Sequence, residues 1–402
     1  MSDAENKNTS SQAGLYATYA TGFFSLSLVP MTSLIVPLWA LQLGAAPSMI
    51  GIIVASRAVL PFFLSIHGGA MMDRLGTRRM LLVFTAIGTL ISLLYPMSKW
   101  IWALVLVQLV VGWAQGMGWI GAQIKIAKIA GGNAKYSGRF TFFTTCGTFL
   151  GPLIAGMTWD FAGVWGAFIL IALWGTGLLI ASYALPAGSD RNHPPLRLRE
   201  FCPNLSDYVR AFALISVPAV AFIVGATFLR IGVISIQSSF YNVYLQGIGL
   251  TGTLIGILVS IDSLVGGPAT LLTGVAVKAI RPHWLLLLAI GVAVVAMCIT
   301  PLLESFPPLL LAASIYGIGV GMSFPLLLSI LSNAADDKEQ GLSVGLRTTA
   351  NRAASIVIPV VMGFVIELTG IRLGFFVIGA MLLTALCLVA WATYRSGAFA
   401  RK

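Results

Sequence analysis

Ile50-Gly51-Ile52-Ile53-Val54 returns 205 residues later as Ile255-Gly256-Ile257-Leu258-Val259. At the same shift Gly44 falls on Gly249, Gly69 on Gly274, Gly112 on Gly317, and Gly116-Met117 on Gly321-Met322. Two inserted residues raise the shift to 207. It then pairs Gly138 with Gly345, Pro152 with Pro359, Gly156 with Gly363, Asp160 with Glu367 and Gly163 with Gly370. Chance similarity between apolar segments would match Leu to Val. It would not match glycines, a proline and an acid in order, so the chain is a duplicated unit.

What surrounds that repeat is lipid-soluble. Of 402 residues, 58% are hydrophobic and 9% charged, whereas soluble domains carry about a quarter charged residues. A membrane-spanning helix needs about 20 apolar residues. Segments of sufficient length lie at 15–43, 48–72, 79–97, 100–124, 139–159 and 164–186, and again at 217–247, 251–277, 283–302, 307–332, 341–366 and 373–394. They are numbered below as spans 1 to 12. Between the two sets lies the long polar stretch 187–209, with SDRNHPPLRLREF, which reads as a linker between residues 1–186 and 210–402. Six spans return a chain to the side from which it started, so the copies are parallel. The predicted fold is all-α and integral to the membrane, with twelve transmembrane helices in two parallel-repeat six-helix bundles.

The formal net charge of +11 would point to nucleic acid only if the basic residues shared one face. They instead sort by loop. Eighteen Lys and Arg fall on one side, from Lys7 through Arg74, Arg78 and Arg79 to Lys402, and two, Lys99 and Arg372, on the other. This asymmetry predicts a multi-pass protein of the cytoplasmic membrane, with both termini and the linker in the cytoplasm. No GxxxxGK[ST] run is present, which excludes the usual ATPase phosphate loop and leaves an ion gradient to drive any transport. Cys146, Cys202, Cys298 and Cys387 lie far apart without metal-ligand spacing and read as packing residues. Residues 1–13 are polar, and the apolar stretch after them is about twice the length of a signal-peptide core, so it reads as a retained first span. With no HExxH and no aqueous loop carrying clustered acids or histidines, the chain is read as a non-enzyme without a cofactor.

Local motifs add a resemblance. After span 2 the chain reads Gly69-Ala70-Met71-Met72-Asp73-Arg74-Leu75-Gly76-Thr77-Arg78-Arg79, which resembles the G-x-x-x-D-R-x-G-x-R-R loop signature of major facilitator transporters. Span 5 carries Gly147-Thr148-Phe149-Leu150-Gly151-Pro152-Leu153-Ile154-Ala155-Gly156, similar to the glycine and proline motif of the proton-coupled antiporters in that family. The parallel six-plus-six repeat is the family's own arrangement, with substrate bound between the halves near the midplane. The resemblance covers the chain from span 1 to span 12. It implies a secondary transporter that moves a small organic solute by alternating access. It further implies that Gly69, Asp73, Arg74, Gly76, Arg78 and Arg79 form a cytoplasmic latch. Two departures stand out. Many drug antiporters place an arginine in span 4 three residues before Gln-Gly, where this chain has Gly112 before Gln115-Gly116. The second-half copy of the loop signature has lost its acid to Lys278.

The residues themselves supply candidates. Arg57 lies about nine residues inside span 2, and its repeat mate in span 8 is Asp262. A charge at such depth costs at least ~2.5 kcal/mol and turns to a cavity or a partner. The opposite charges suggest a pair that forms in one state and parts in another, or a fixed ion pair. Asp262 is the one acid clearly inside a span and is the expected proton carrier. Arg230, Gln237, Tyr241 and Tyr244 fall on one helical face of span 7, and Gln108, Gln115, Trp119 and Gln123 on one face of span 4. Both read as cavity walls, or as polar seams between packed helices. In span 11, Arg347 sits near the cytoplasmic surface and Asn351 and Arg352 a turn or more deeper. Gly147, Gly151, Pro152 and Gly156 in span 5, with Pro359 and Gly363 in span 11, are expected hinges. His67, near the cytoplasmic end of span 2, reads as a packed imidazole or a second proton exchanger.

The expected partners are a small-molecule substrate, the proton and the bilayer, without nucleic acid or metal. One chain holds both halves, so a monomer is expected to suffice. Export follows from the antiporter-like motif. Two or three arginines against one acid point instead to uptake of an organic anion or a vitamin-like aromatic solute. A non-transporting receptor or membrane enzyme is the distant alternative.

Overall fold

The computed structural model describes residues 2–130, 133–186, 217–334 and 340–397. The linker 187–209 lies outside them. Spans 1 to 4 are helices α1 (Ser2–Gln42), α2 (Pro47–Leu75), α3 (Thr77–Ser92) and α4 (Ile101–Ala130). Spans 5 and 6 form α5 (Ala134–Tyr183), which is broken at Gly163, where φ is 63°. Span 7 is α6 (Pro218–Ile236), a π-helical turn (Gln237–Tyr241) and α7 (Asn242–Gly247). Spans 8 to 12 are α8 (Gly252–Ala276), α9 (Pro282–Cys298), α10 (Phe306–Ala334), α11 (Gln340–Thr369) and α12 (Ile371–Ser396).

Ten described helical stretches are long and apolar enough to cross a membrane. One contains two crossings separated by Gly163, and α3, with 16 residues, supplies the remaining one. The twelve-span reading is therefore met. Repeat-matched glycines mark its turns: Gly44 and Gly249 have φ of 73° and 88°, and Gly163 and Gly370 of 63° and 82°. Positive φ strains any residue with a Cβ, which explains why glycine persists at both copies.

Two boundaries differ from the sequence reading. Span 3 stops being helical at Ser92 instead of continuing to residue 97, because Tyr95 precedes Pro96 and a residue before proline avoids the helical region. Span 9 leaves the α-helix at Cys298 and tightens into a 3-10 turn, Thr300–Leu302, around Pro301.

The chain divides into two compact units. The first comprises Met1–Leu43, Ser56–Phe201 and Thr251–Ser260, and the second Gly44–Ala55, Cys202–Leu250 and Ile261–Lys402. Each unit thus holds the first turns of the other repeat's second span. Inside the first, α1 runs along α5 and α4, and α3 lies against α4 and α5. Gly147 lets span 5 approach the Phe23 backbone so closely that a Cβ would collide with its carbonyl, and Gly151 faces Met31 and Ser27. These two motif glycines serve close packing of span 5 on span 1. Inside the second unit, α9 pairs with α10 and α11 with α6, while α12 touches α6, α9 and α11.

Candidate functional site

In the first unit, Arg57 is held by span 1: its Nη1 donates to Ser33 Oγ at 2.5 Å and to the Val29 carbonyl at 3.2 Å. The helix carrying it comes this close to span 4 because Gly112 has no side chain. A Cβ there would meet Arg57 Cα at 2.7 Å and collide with its carbonyl oxygen. The span 4 position that holds arginine in many drug antiporters is therefore filled here by the backbone of another arginine-bearing helix.

The face of span 4 resolves into separate contacts. Gln108 is buried and accepts a hydrogen bond from the Tyr95 hydroxyl, whose ring stacks on Phe168 at 4.7 Å. Gln115 reaches span 1 through Leu28 O and Thr32 Oγ1, both at 3.4 Å from its Nε2. Trp119 lies against Phe140, while Gln123 is exposed. Gln108 and Gln115 thus join helices, as the interhelical alternative has it. Tyr95→Phe would leave the Gln108 oxygen buried without its donor, at a cost of about 1–3 kcal/mol. A lowered apparent melting temperature of the purified protein is the expected result.

Two basic residues take positions the sequence alone did not define. Lys125, counted there among loop residues, is buried near the end of α4, which continues to Ala130. Arg78 donates to the Tyr183 carbonyl from Nη2 at 2.6 Å and from Nε at 3.2 Å, with its guanidinium 5.2 Å from the Tyr183 ring. It caps the C-terminal end of span 6, where unpaired carbonyls attract a cation. Gly76, with φ 91°, starts α3; Arg74 is partly buried and Arg79 exposed. The side chains of His67, Gly69 and Asp73 lie outside the described residues.

In the second unit, Arg230 Nε donates to Ser323 Oγ at 2.8 Å, and its guanidinium lies 5.3 Å from the Phe324 ring. Two turns along span 7, Gln237 opens the π-helical turn and accepts from the Tyr316 hydroxyl at 3.0 Å. Asp262 on span 8 accepts from Ser263 Oγ at 3.0 Å, and the Gln237 side chain lies near its carboxylate, with Nε2 buried and without a hydrogen-bond partner. Tyr241 and Tyr316 both lie near enough to sense the Asp262 charge. Gly317 lets span 10 approach, since a Cβ there would sit 2.7 Å from Asp262 Cα.

The π-helical turn alters the predicted face of span 7. It adds a residue to one turn, and residues beyond it rotate away from those before it. Tyr241 stays with Asp262, but Tyr244 donates to the Pro301 carbonyl at 3.3 Å and lies against Phe375. Tyr244 therefore anchors the end of span 9, apart from the Arg230 and Asp262 group. Arg347 lies near enough to Arg230 for their charges to repel, and the Nε atoms of Arg347 and Arg352 are buried without a hydrogen-bond partner. Asn351 is partly buried beside them in sequence. The result is a polar group in which the buried Tyr241 and Tyr316 join the partly buried Arg230, Arg347 and Asp262. Ser323 and Phe324 belong to it although no charge or motif singled them out.

The sequence matches the pattern of the Major Facilitator Superfamily over residues 15–233 and 223–401. The chain belongs to this superfamily. Solved structures agree on the fold. A nucleoside transporter, NupG, superposes with a TM-score of 0.75 at 14% identity over 94% of this chain and 98% of its own. An inward-facing, unoccupied bacterial homologue of the human lysosomal transporter Spinster gives 0.71 at 14% identity, over 96% and 97%. A POT family transporter in complex with a thioalcohol-conjugated peptide gives 0.73 at 15% identity, over 95% and 96%. The protein is a multi-pass membrane transporter for a small molecule and not an enzyme.

Proposed function

We propose that this transporter couples movement of a small organic solute to protons across the cytoplasmic membrane, with Asp262 as the proton carrier and both termini in the cytoplasm. The observation that carries the reading is the surrounding of Asp262: a half-buried carboxyl set among Ser263, Gln237, Tyr241 and Tyr316. Ionisable groups at such depth are functional by default. The substrate-facing residues are proposed to be Arg230, Gln237, Tyr241, Asn351 and Arg352, all within the second unit. Resemblance of Gly147 to Gly156 to antiporters supports export.

A second reading is favoured by the buried, unpartnered Nε atoms of Arg347 and Arg352. An unpaired guanidinium nitrogen in a buried site calls for an acceptor, and a carboxylate or phosphate is the acceptor that matches its geometry. On this reading the substrate is an organic anion.

The test is the thermal stability of purified protein against organic anions, lipophilic cations and neutral aromatics, at pH 6 and pH 8. A ligand that binds the folded state raises its apparent stability. Stabilisation by cations, stronger at pH 8, is expected if proton and substrate compete for Asp262. Stabilisation by anions that disappears in Arg230→Gln establishes the second reading. A panel whose stabilising members act equally at both pH values and equally on Asp262→Asn overturns the proton-coupled one.

A further inference from the structure

The two acids paired by the repeat, Asp160 and Glu367, do the same thing in their separate units. Asp160, at the end of span 5, accepts from the Gly252 N–H through Oδ1 at 2.7 Å. Its Oδ2 accepts from the Thr253 N–H at 2.7 Å and from the Thr253 hydroxyl at 2.6 Å. Glu367, at the end of span 11, accepts from the Ser48 N–H through Oε2 at 3.1 Å, and the Ser48 hydroxyl also bonds its carboxylate. Thr253 and Ser48 are repeat mates at the shift of 205, as are Gly252 and Pro47. Each acid therefore caps the free N–H groups at the start of the other repeat's second span, where the helix dipole favours negative charge.

Small residues hold the same seams closed. Gly156 faces the Gly252 carbonyl and Gly363 the Pro47 carbonyl. Deeper along each seam Gly256 faces the Pro152 carbonyl and Gly51 the Pro359 carbonyl. At all four glycines a Cβ would be 2.6 Å or less from backbone oxygen. The prolines expected to be hinges thus contribute the carbonyls against which the glycines of spans 2 and 8 pack. This double seam is why Gly44–Ala55 belongs with the second unit and Thr251–Ser260 with the first.

We propose that Asp160 and Glu367 are a pair of releasable latches on the membrane face opposite the termini. They tie span 5 to span 8 and span 11 to span 2 in the closed state of that face, and let go when it opens. Both acids are exposed, while their donors Gly252 and Ser48 are buried and Thr253 is partly buried, so water reaches the carboxylates and can replace the hydrogen bonds they lose. The seams behind them are glycine against backbone. The two latches are also unequal: Gly252 donates an N–H that its mate Pro47 lacks, so Asp160 holds more strongly than Glu367. The inference needs a chain with two states, but not any particular substrate or coupling ion.

The probe is Ser260→Cys in a chain whose four native cysteines are replaced. Ser260 is fully buried on span 8, one helical turn beyond Gly256, and its hydroxyl has no hydrogen-bond partner, so a thiol fits its place. Alkylation by a membrane-impermeant maleimide is followed in intact cells and in inside-out vesicles. Asp160→Ala with Glu367→Ala is expected to raise the rate severalfold in intact cells and leave it unchanged in vesicles, with Asp160→Ala alone exceeding Glu367→Ala alone. Asp160→Asn with Glu367→Gln, which keep an acceptor but lose the charge, are expected to fall between. They decide the matter if the alanine variants do not elute as folded monomer. A folded variant that labels at the unmodified rate, or faster only in vesicles, overturns the latch. Labelling requires neither substrate nor gradient, so this outcome is independent of the proton-coupling reading.

Discussion

Asp262→Asn is expected to abolish proton-driven accumulation of solute while leaving solute exchange across the membrane at near its normal rate. The amide is the same size as the carboxyl and keeps an oxygen for Ser263 Oγ, which donates to Asp262 Oδ1 at 3.0 Å. The contact with Gly317 involves the Asp262 backbone and is unaffected. The fold should therefore survive, with stability changed by no more than about 1 kcal/mol. What the amide cannot do is take up a proton on one side and release it on the other. Net uphill transport requires that step. Counterflow, in which a loaded carrier returns loaded, does not. The check is paired measurement in proteoliposomes of accumulation under an imposed pH gradient and of counterflow without one. Retention of both removes Asp262 from the mechanism, and loss of both makes it a substrate ligand and not a proton carrier.

The charges around Asp262 link that result to the direction of transport. Coupling between two ligands is reciprocal: whatever the proton does to substrate affinity, the substrate does to proton affinity. Neutralising the one acid in a group that contains Arg230 and Arg347 makes it more positive. An anionic solute then binds better to the protonated form, and proton and solute travel together. A cationic solute binds better to the ionised form, and the two exchange. Export by antiport and uptake of an anion are therefore two consequences of one site read with solutes of opposite charge. The charge of the ligand that stabilises the protein decides between them.

How far the sequence could be read depended on the kind of signal. Hydrophobic length and turn glycines are local, so the spans, the repeat and the break at Gly163 were legible before any coordinates. Seams between helices were legible only as matched glycines, without their partners. That Gly156 meets Gly252, or that Gly51 meets Pro359, depends on which helices are neighbours, and the repeat does not say that. The side-chain faces were read on a regular helix of 3.6 residues per turn. In span 4 that face divides, with Gln108 meeting Tyr95, Gln115 meeting span 1 and Gln123 exposed, and in span 7 the turn Gln237-Ser238-Ser239-Phe240-Tyr241 is π-helical although nothing in its residues marks it. Tyr244, beyond that turn, bonds the Pro301 carbonyl. Tyr95 and Ser323 were missed because an uncharged hydroxyl inside a span looks like helix packing until its acceptor is known.

The same glycine logic gives the largest structural effect in the molecule. Gly112→Leu and Gly317→Leu are each expected to cost well over the about 1–3 kcal/mol of ordinary overpacking, because what stands in the way is main chain. At Gly112 the new Cβ meets Arg57 Cα at 2.7 Å and collides with the Arg57 carbonyl. At Gly317 it meets Asp262 Cα at 2.7 Å and the Asp262 carbonyl oxygen at 2.8 Å. These two glycines are repeat mates, and so are the two charged residues they face. In each copy, then, the helix bearing the buried charge is pressed against the fourth span of its own repeat at the charged residue itself. A side chain at either glycine pushes that helix away and moves the charge with it. Gly→Ala variants, with one methyl to place, are expected to fold at reduced apparent melting temperature and to lose transport disproportionately. The leucine variants are expected to yield little folded protein, read as the monodisperse fraction on gel filtration. Leucine variants that elute and transport as the unsubstituted chain does would mean that spans 2 and 4, and 8 and 10, are not in backbone contact where the charges lie.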